Sequence, residues 1–318
     1  MASTTYTSGV TLAAKSWRES VALRGGRGAW LFAFASAVMV PARPAHAQTP
    51  SSSGAPMLVG AISRADLEKE PFSEWFSRRY EGYAPALSVL GELRPRLADV
   101  SVEAYFGTWC GDSKRQVPGL LRILSDAGFD ESRLSLYGLS DRLLEFKQAP
   151  GRPEAKRRVH RTPTFVVLRD GRELGRIVET PEATLEVDIL NILKGNGPTP
   201  KYGAEARVHD VFVDSPAGGF EAALAAAATD IARRSEPNSL WHYAEHDLLK
   251  NNHPTEAKAV LDLYLKANPR SVRGHVLMAE ALVALGRKRE ALESVERALA
   301  INPLDDQARR AAEKLRQP

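Results

Sequence analysis

The sequence predicts an α/β domain followed by an all-α segment, on three observations. First, an apolar, strand-like run, Val102–Phe106, hands over at Cys110 to a helical pattern from Lys114 onward. Second, the pieces between residues 57 and 198 read as strand, turn, helix, strand, helix, Thr-Pro entry, hairpin, helix, which builds a sheet with flanking helices. Third, the C-terminal part repeats itself: Asn268-Pro269 recurs as Asn302-Pro303, a period of 34 residues.

The chain has 318 residues, enough for about two domains. Its apolar and charged fractions, 43% and 26%, are ordinary for a soluble globular protein. The formal net charge of +4 comes from the N-terminus alone, where Lys15, Arg18, Arg24, Arg27 and Arg43 face only Glu19. The remainder is formally neutral, so charge supplies no argument for nucleic acid.

Residues 1–47 read as an export signal. Arg18, Arg24 and Arg27 precede the apolar run Ala29–Val40, and Ala45-His46-Ala47 offers small residues for cleavage before Gln48. The run is shorter than the ~20 apolar residues of a comfortable membrane span. The expected location is therefore outside the cytoplasm, in the periplasm, with no membrane span in the mature form and an N-terminal anchor as the alternative. Residues 48–56 are rich in Ser, Pro and Gly and read as a flexible mature terminus.

The α/β domain is expected over 57–198. Asp66–Leu97 is helical in pattern, with Leu67, Trp75, Phe76, Tyr80, Leu87, Leu90 and Leu93 as core candidates, and Pro71, Pro85 and Pro95 divide it. Ser101–Phe106 is a strand, Lys114–Asp126 a helix containing Pro118, and Leu134–Leu139 a second strand. Ser140–Arg158 reads as a short helix and loop. Arg161-Thr162-Pro163-Thr164 leads into the apolar strand Phe165–Leu168, and Asp170-Gly171 is a hairpin signal before Leu174–Val178. Pro181–Leu193 closes the unit as a helix, with Pro181 in its first turn.

Cys110 is the single cysteine, so an internal disulfide is excluded and the thiol is a candidate nucleophile. The bland alternative is a buried apolar cysteine. At a strand-to-helix junction the helix N–H groups and the positive end of the dipole favour thiolate. Trp109-Cys110-Gly111-Asp112-Ser113, with Pro118 eight residues after the cysteine and Thr162-Pro163 before a hairpin, resembles the thioredoxin superfamily. The resemblance spans about 57–198. It implies a thioredoxin-like fold, Cys110 as nucleophile, Trp109, Gly111 and Asp112 as its active-site turn, and a cis Pro163 facing the thiol. It also implies that the backbone of Thr162 pairs with an extended client.

Two departures limit what carries over. Ser113 stands where thioredoxins have the resolving cysteine, making a Cys-x-x-Ser turn in which Ser113 can hydrogen-bond the sulfur. Ala104 stands where they have a buried aspartate, and Glu103, one residue away, points to the opposite face of its strand.

Residues 199–234 read as a linker with a brief extended run at Val208–Val213 and a capping helix at Phe220–Arg234. Residues 235–318 carry the repeat. Ala279, Leu282, Ala291, Val295, Ala298 and Pro303 of the second unit, and Trp241, Leu248, Ala257, Leu261 and Pro269 of the first, resemble the tetratricopeptide pattern. Glu245 and Tyr264 depart from it, each at a small-residue position. Asn252 and Gly286 are the expected turns, and Gln307–Gln317 a terminal capping helix. Residues 48–203 are expected to fold alone.

The seven histidines give no metal-ligand spacing with carboxylates or the cysteine, apart from His242 and His246, four apart on one helix. These read as surface histidines on a repeat, for want of a third ligand. No metal or cofactor is expected. Lys156, Arg157, Arg158 and Arg161 form a basic run that reads as a solvated loop, with an acidic partner or a lowered thiol pKa as alternatives.

Three functions remain open at this point. The first is an exported protein that uses Cys110 alone for thiol–disulfide exchange or isomerisation on client proteins, with an external thiol for release and the repeats as a protein-binding module. The second is a non-catalytic peptide-binding scaffold. The third is a remnant fold that merely carries the repeats.

Overall fold

The structure is a computed structural model that describes residues 47–317. The expected signal segment lies outside the described residues, apart from Ala47. Residues 48–56 do not run free. Ala47–Pro50 forms β1, paired antiparallel with β2, Pro56–Ile62, and Ser52 donates from its N–H and its hydroxyl to Asp141, each at 2.8 Å. Sequence pattern missed both strands, because β1 is short and its partner is a seven-residue apolar run without strict alternation.

The proline-divided stretch becomes α1 (Arg64–Leu67), α2 (Ser73–Gly82), α3 (Leu87–Leu93) and a 3₁₀ turn, Arg94–Arg96. Next come β3 (Val100–Phe106), α4 (Gly111–Asp126), β4 (Leu134–Gly138) and α5 (Pro153–Lys156). Strands β5 (Thr164–Arg169) and β6 (Arg172–Val178) follow, then α6 (Leu185–Leu193). Asp170 and Gly171 both take positive φ, 51° and 74°, as a tight hairpin requires. Helix α6 begins at Leu185 rather than Pro181, because Thr184 caps it by accepting from the Val187 N–H.

The six strands form one mixed sheet in the order β1-β2-β4-β3-β5-β6. Strand β3 runs parallel to β4 and antiparallel to β5. The carboxyl ends of β3 and β4 and the amino end of β5 therefore meet at one end of the sheet. One face is covered by helices: Val102, Ala104 and Phe106 of β3 pack with Phe76, Leu90, Val117, Leu120, Ile123 and Ile189. Trp75 and Tyr80 pack against this core as expected. On the other face Tyr105 clusters with Leu139, Ala149, Val159 and Val166. Glu103 shares that face and pairs with Arg157 at 2.7 Å, while Ala104 is fully buried opposite. The mixed sheet with flanking helices is compatible with the thioredoxin fold, and the predicted α/β class holds.

The rest of the chain is helical. The extended run expected at Val208–Val213 is instead part of α7, Gly203–Asp214, whose Val208 and Val211 are buried in the helical core. Its valines favour a strand locally, but their three-residue spacing lets them share one helix face, and tertiary burial wins. Then come α8 (Phe220–Arg233), α9 (Leu240–Tyr243), α10 (Pro254–Ala267), α11 (Val272–Ala284), α12 (Lys288–Ile301) and α13 (Asp306–Arg316). Asn252 (φ 62°) and Gly286 (φ 73°) make the two expected turns.

Both misfits in the first repeat have a physical outcome. Around Glu245 the chain winds a π turn, Ala244–Leu248, followed by a 3₁₀ turn. Tyr264 is accommodated by Gly274, where an added Cβ would lie 2.8 Å from the tyrosine ring.

Among the described residues no helix is long and apolar enough to cross a membrane. The described residues, 47–317, belong to one compact unit. The sequence boundary at 198/199 is crossed by buried ion pairs, described next.

Candidate functional site

Strand β3 delivers the chain into Gly107-Thr108-Trp109, and Cys110 becomes the N-cap of α4 with extended backbone (φ −79°, ψ 128°). The helix thus starts at Gly111, three residues earlier than the pattern indicated. Its first bonds close immediately: Cys110 N–H donates to Gly107 O, and Lys114 N–H donates to Cys110 O, both at 3.0 Å. Gly107 is required here, since a Cβ would lie 2.4 Å from the Trp109 ring. Trp109 in turn donates from Nε1 to the Leu139 carbonyl at 2.8 Å, tying the turn to the end of β4.

The thiol is partly exposed. Its Sγ lies 3.5 Å from the Thr162 carbonyl oxygen, to which it donates. The Thr162-Pro163 peptide is cis, and a second cis bond, not anticipated from sequence, precedes Pro71. The topology therefore brings Cys110 and Thr162, 52 residues apart, to the same end of the sheet. Ser113 is fully buried, and its Oγ accepts from the Gly107 N–H at 3.2 Å. Asp112 is engaged by Arg115 on the exposed side of α4. Gly111 is exposed at the helix start.

The basic run beside the Thr-Pro entry is not a solvated patch. Arg157 is held by Glu103, and Arg158 by Asp210 and Asp214 of α7. Arg161 is buried, with bonds of 2.9 and 2.6 Å to Glu205 and 2.8 Å to Glu179, and it stacks 3.8 Å from the Tyr202 ring. Burial works against its charge, but the two carboxylates outweigh burial and hold the guanidinium firmly protonated. Only Lys156 of the run stays exposed. The Thr162-Pro163 loop is thus clamped from behind by α7, a helix outside the sheet domain.

A second anchor lies in the segment after β4. Lys147 is buried, donates to the His160 carbonyl at 2.6 Å and pairs with Asp247 in the π turn at 3.0 Å. Burial pushes the Asp247 carboxyl up to about 6 although Lys147 opposes it. Asn251 exchanges bonds with the backbone of Phe146. Phe146 contacts Trp109 on one side (5.3 Å between centroids) and stacks on His246 on the other (5.6 Å).

His242 and His246 are therefore not surface histidines. They lie 4.3 Å apart in this contact, and burial lowers both imidazoles. Sequence reasoning missed Phe146, Lys147, Glu205 and Asp247. The one available signal was Glu245 standing at a small-residue position of the repeat. Among the described residues no group of three His, Cys, Asp or Glu side chains could hold a metal ion.

A family model described as a tetratricopeptide repeat matches residues 248–315. The match covers most of the helical repeat and supports a protein-interaction module. No curated protein matches this chain.

Proposed function

We propose that this is an exported, thioredoxin-like protein that performs thiol–disulfide exchange with a single nucleophile, Cys110, on client proteins held in part by the tetratricopeptide segment. The observation that carries the reading is the placement of a partly exposed, lone thiol at the N-cap of a 16-residue helix, opposite the cis Thr162-Pro163 peptide. Open helix N–H groups favour negative charge on such a sulfur.

In the proposed step the Cys110 thiolate attacks one sulfur of a client disulfide. A new S–S bond forms to Cys110, the client bond breaks, and the other client sulfur leaves as thiolate and takes a proton. Ser113 cannot complete a dithiol cycle. Its hydroxyl has no redox chemistry and forms no disulfide. Release requires an external thiol or another cysteine of the client. The second route regenerates Cys110 with no net change in oxidation state, which is isomerisation. The backbone of Thr162, a residue only 5% exposed beside the buried Pro163, would pair with the client's extended chain.

The test is non-reducing electrophoresis of the exported protein after thiol alkylation. The wild type is expected to accumulate mixed disulfides with clients, and Ser113→Cys to shorten their life. Export itself predicts a mature N-terminus at or near Gln48. If no adduct forms under oxidising conditions and partners are still retained, the non-catalytic binding scaffold replaces this reading.

A further inference from the structure

Four histidines converge where the helical segment meets the sheet domain. His160 comes from the loop before Pro163, His209 from α7, His242 from α9 and His246 from the π turn. The His160 and His209 rings lie 5.7 Å apart, and those of His242 and His246 4.3 Å apart. His160 is 4% exposed. Four ring nitrogens, Nε2 of His160 and His209 and Nδ1 of His242 and His246, are sealed from solvent without a hydrogen-bond partner among the described residues. A sealed, unpartnered nitrogen is tolerable on a neutral imidazole and costly once it carries a proton.

The charges around the rings offer a proton no home. His160 faces Lys147, Arg161 and Arg176 from its own domain and His209 from α7. His209 bonds Tyr243 at 2.9 Å and faces Lys147, Arg152, Arg158 and Arg176. His242 has Glu205 at 3.8 Å, but both oxygens of Glu205 already bond Arg161. His246 has Glu245 at 3.9 Å, whose buried Oε2 is ion-paired with Arg273 though without a hydrogen bond, and it also faces Lys250, Lys147 and Arg161. The remaining carboxylates are taken as well: Asp247 by Lys147, Asp210 by Arg158 and Glu179 by Arg161.

We infer that this cluster makes the docking of the C-terminal helices on the sheet domain acid-labile, so that protonation of His160, His209, His242 and His246 releases α7, α9 and the π turn from the 139–162 segment. The inference stands on the interface and does not depend on the thiol chemistry proposed above. Release would free Arg161 from Glu205 and Phe146 from His246, and so loosen both supports of the Cys110 end of the sheet.

The sign follows from the shifts. Burial, with Lys147 next in weight, holds His209 at about 4 while docked, and burial, with Lys250 next, holds His246 at about 3. A released imidazole returns toward 6.5. A docked pKa below the released one means that docking is at full strength above pH 6.5 and is lost as pH falls toward 4. At pH 5 each of these two rings favours release about 30-fold. Asp247, raised to about 6 while docked, opposes them about 10-fold, leaving roughly 90-fold from this pair before His160 and His242 are counted.

The experiment uses the full chain, followed from pH 7.5 to pH 4.5 by small-angle X-ray scattering, far-ultraviolet circular dichroism and NMR titration of the histidine ring protons. The expected result is an increase in radius of gyration with secondary structure retained, the buried rings taking up protons in the same transition. His209→Asn, which can still bond Tyr243, should weaken release about 30-fold at pH 5. A chain that stays compact at pH 4.5, one that expands only as its helices and strands melt, or rings that titrate near 6.5 without expansion would each overturn the inference. An unmoved midpoint in His209→Asn would do the same.

Discussion

The Cys110 turn and the 139–162 segment sit at the same end of the sheet but are held in different ways. The turn is held largely by neighbours in sequence: Gly107 bonds Cys110 through its carbonyl and Ser113 through its N–H, and it makes room for the Trp109 ring, while the Leu58 N–H of β2 adds one bond to Thr108 Oγ1. The segment is held by residues from far along the chain. Lys147 meets Asp247 100 residues on, Phe146 meets Asn251 105 residues on, and Arg161 meets Glu205 44 residues on. Trp109 links the two through the Leu139 carbonyl and the Phe146 ring, and Thr162 does so through Cys110. A reactive turn is thus specified largely by its own sequence, while the loop it faces is set in position by a distant helical segment.

The sharpest way to separate the two is to remove the sulfur. Cys110→Ser is expected to abolish all disulfide-linked adducts while leaving the thermal unfolding midpoint nearly unchanged, because the side chain is nearly isosteric and partly exposed. A large fall in the unfolding midpoint would mean that the sulfur also supports the fold.

The opposite experiment leaves the sulfur and breaks the clamp. Glu205→Gln deprives the buried Arg161 of its bidentate partner, and breaking a buried pair costs about 3–5 kcal/mol. Denaturant unfolding of the full chain measures this. A loss below 1 kcal/mol would mean that Glu179 and Tyr202 suffice to hold the loop. The fragment 48–203 asks the same question more bluntly, since it lacks Glu205, Asp247 and Asn251. It is expected to fold, with a lower unfolding midpoint than the full chain. A fragment that is unfolded would make the helices integral to the sheet domain.

Smaller effects probe the turn itself. Trp109→Phe keeps most of the ring but leaves the Leu139 carbonyl without its indole donor, at a cost of about 1–3 kcal/mol. Adduct formation in this variant should slow without disappearing. The smallest expected effect lies in the repeat, at the left-handed Asn252. Asn252→Ala should cost about 1 kcal/mol and Asn252→Gly less, because alanine keeps the Cβ at φ 62° without the local polar bonding that lets asparagine adopt this conformation, whereas glycine has no Cβ. Equal losses for the two variants would point to a side-chain role for Asn252 instead of a backbone one.

Much of the architecture was legible in the residues. The Asp170-Gly171 hairpin, the Asn252 and Gly286 turns, and the period-34 helix pairs all rest on short-range rules of backbone conformation and hydrophobic spacing. Where such rules compete with burial they mislead: the valines at 208 and 211 read as extended and are helical. Four residues, as in β1, and an apolar run without alternation, as in β2, carry too little pattern to mark a strand.

The sequence by itself determined the lone thiol, its position at a strand-to-helix junction and the absence of a resolving cysteine, because those follow from residue identity and local spacing. Only the fold buries Ser113 against Gly107, buries Arg161, and gathers the half-buried His209, His242 and His246 with the buried His160 at one interface. The reason is physical. The state of a charged or titratable side chain depends on which counter-charges and how much solvent surround it, and here those surroundings are supplied by residues tens to a hundred positions away.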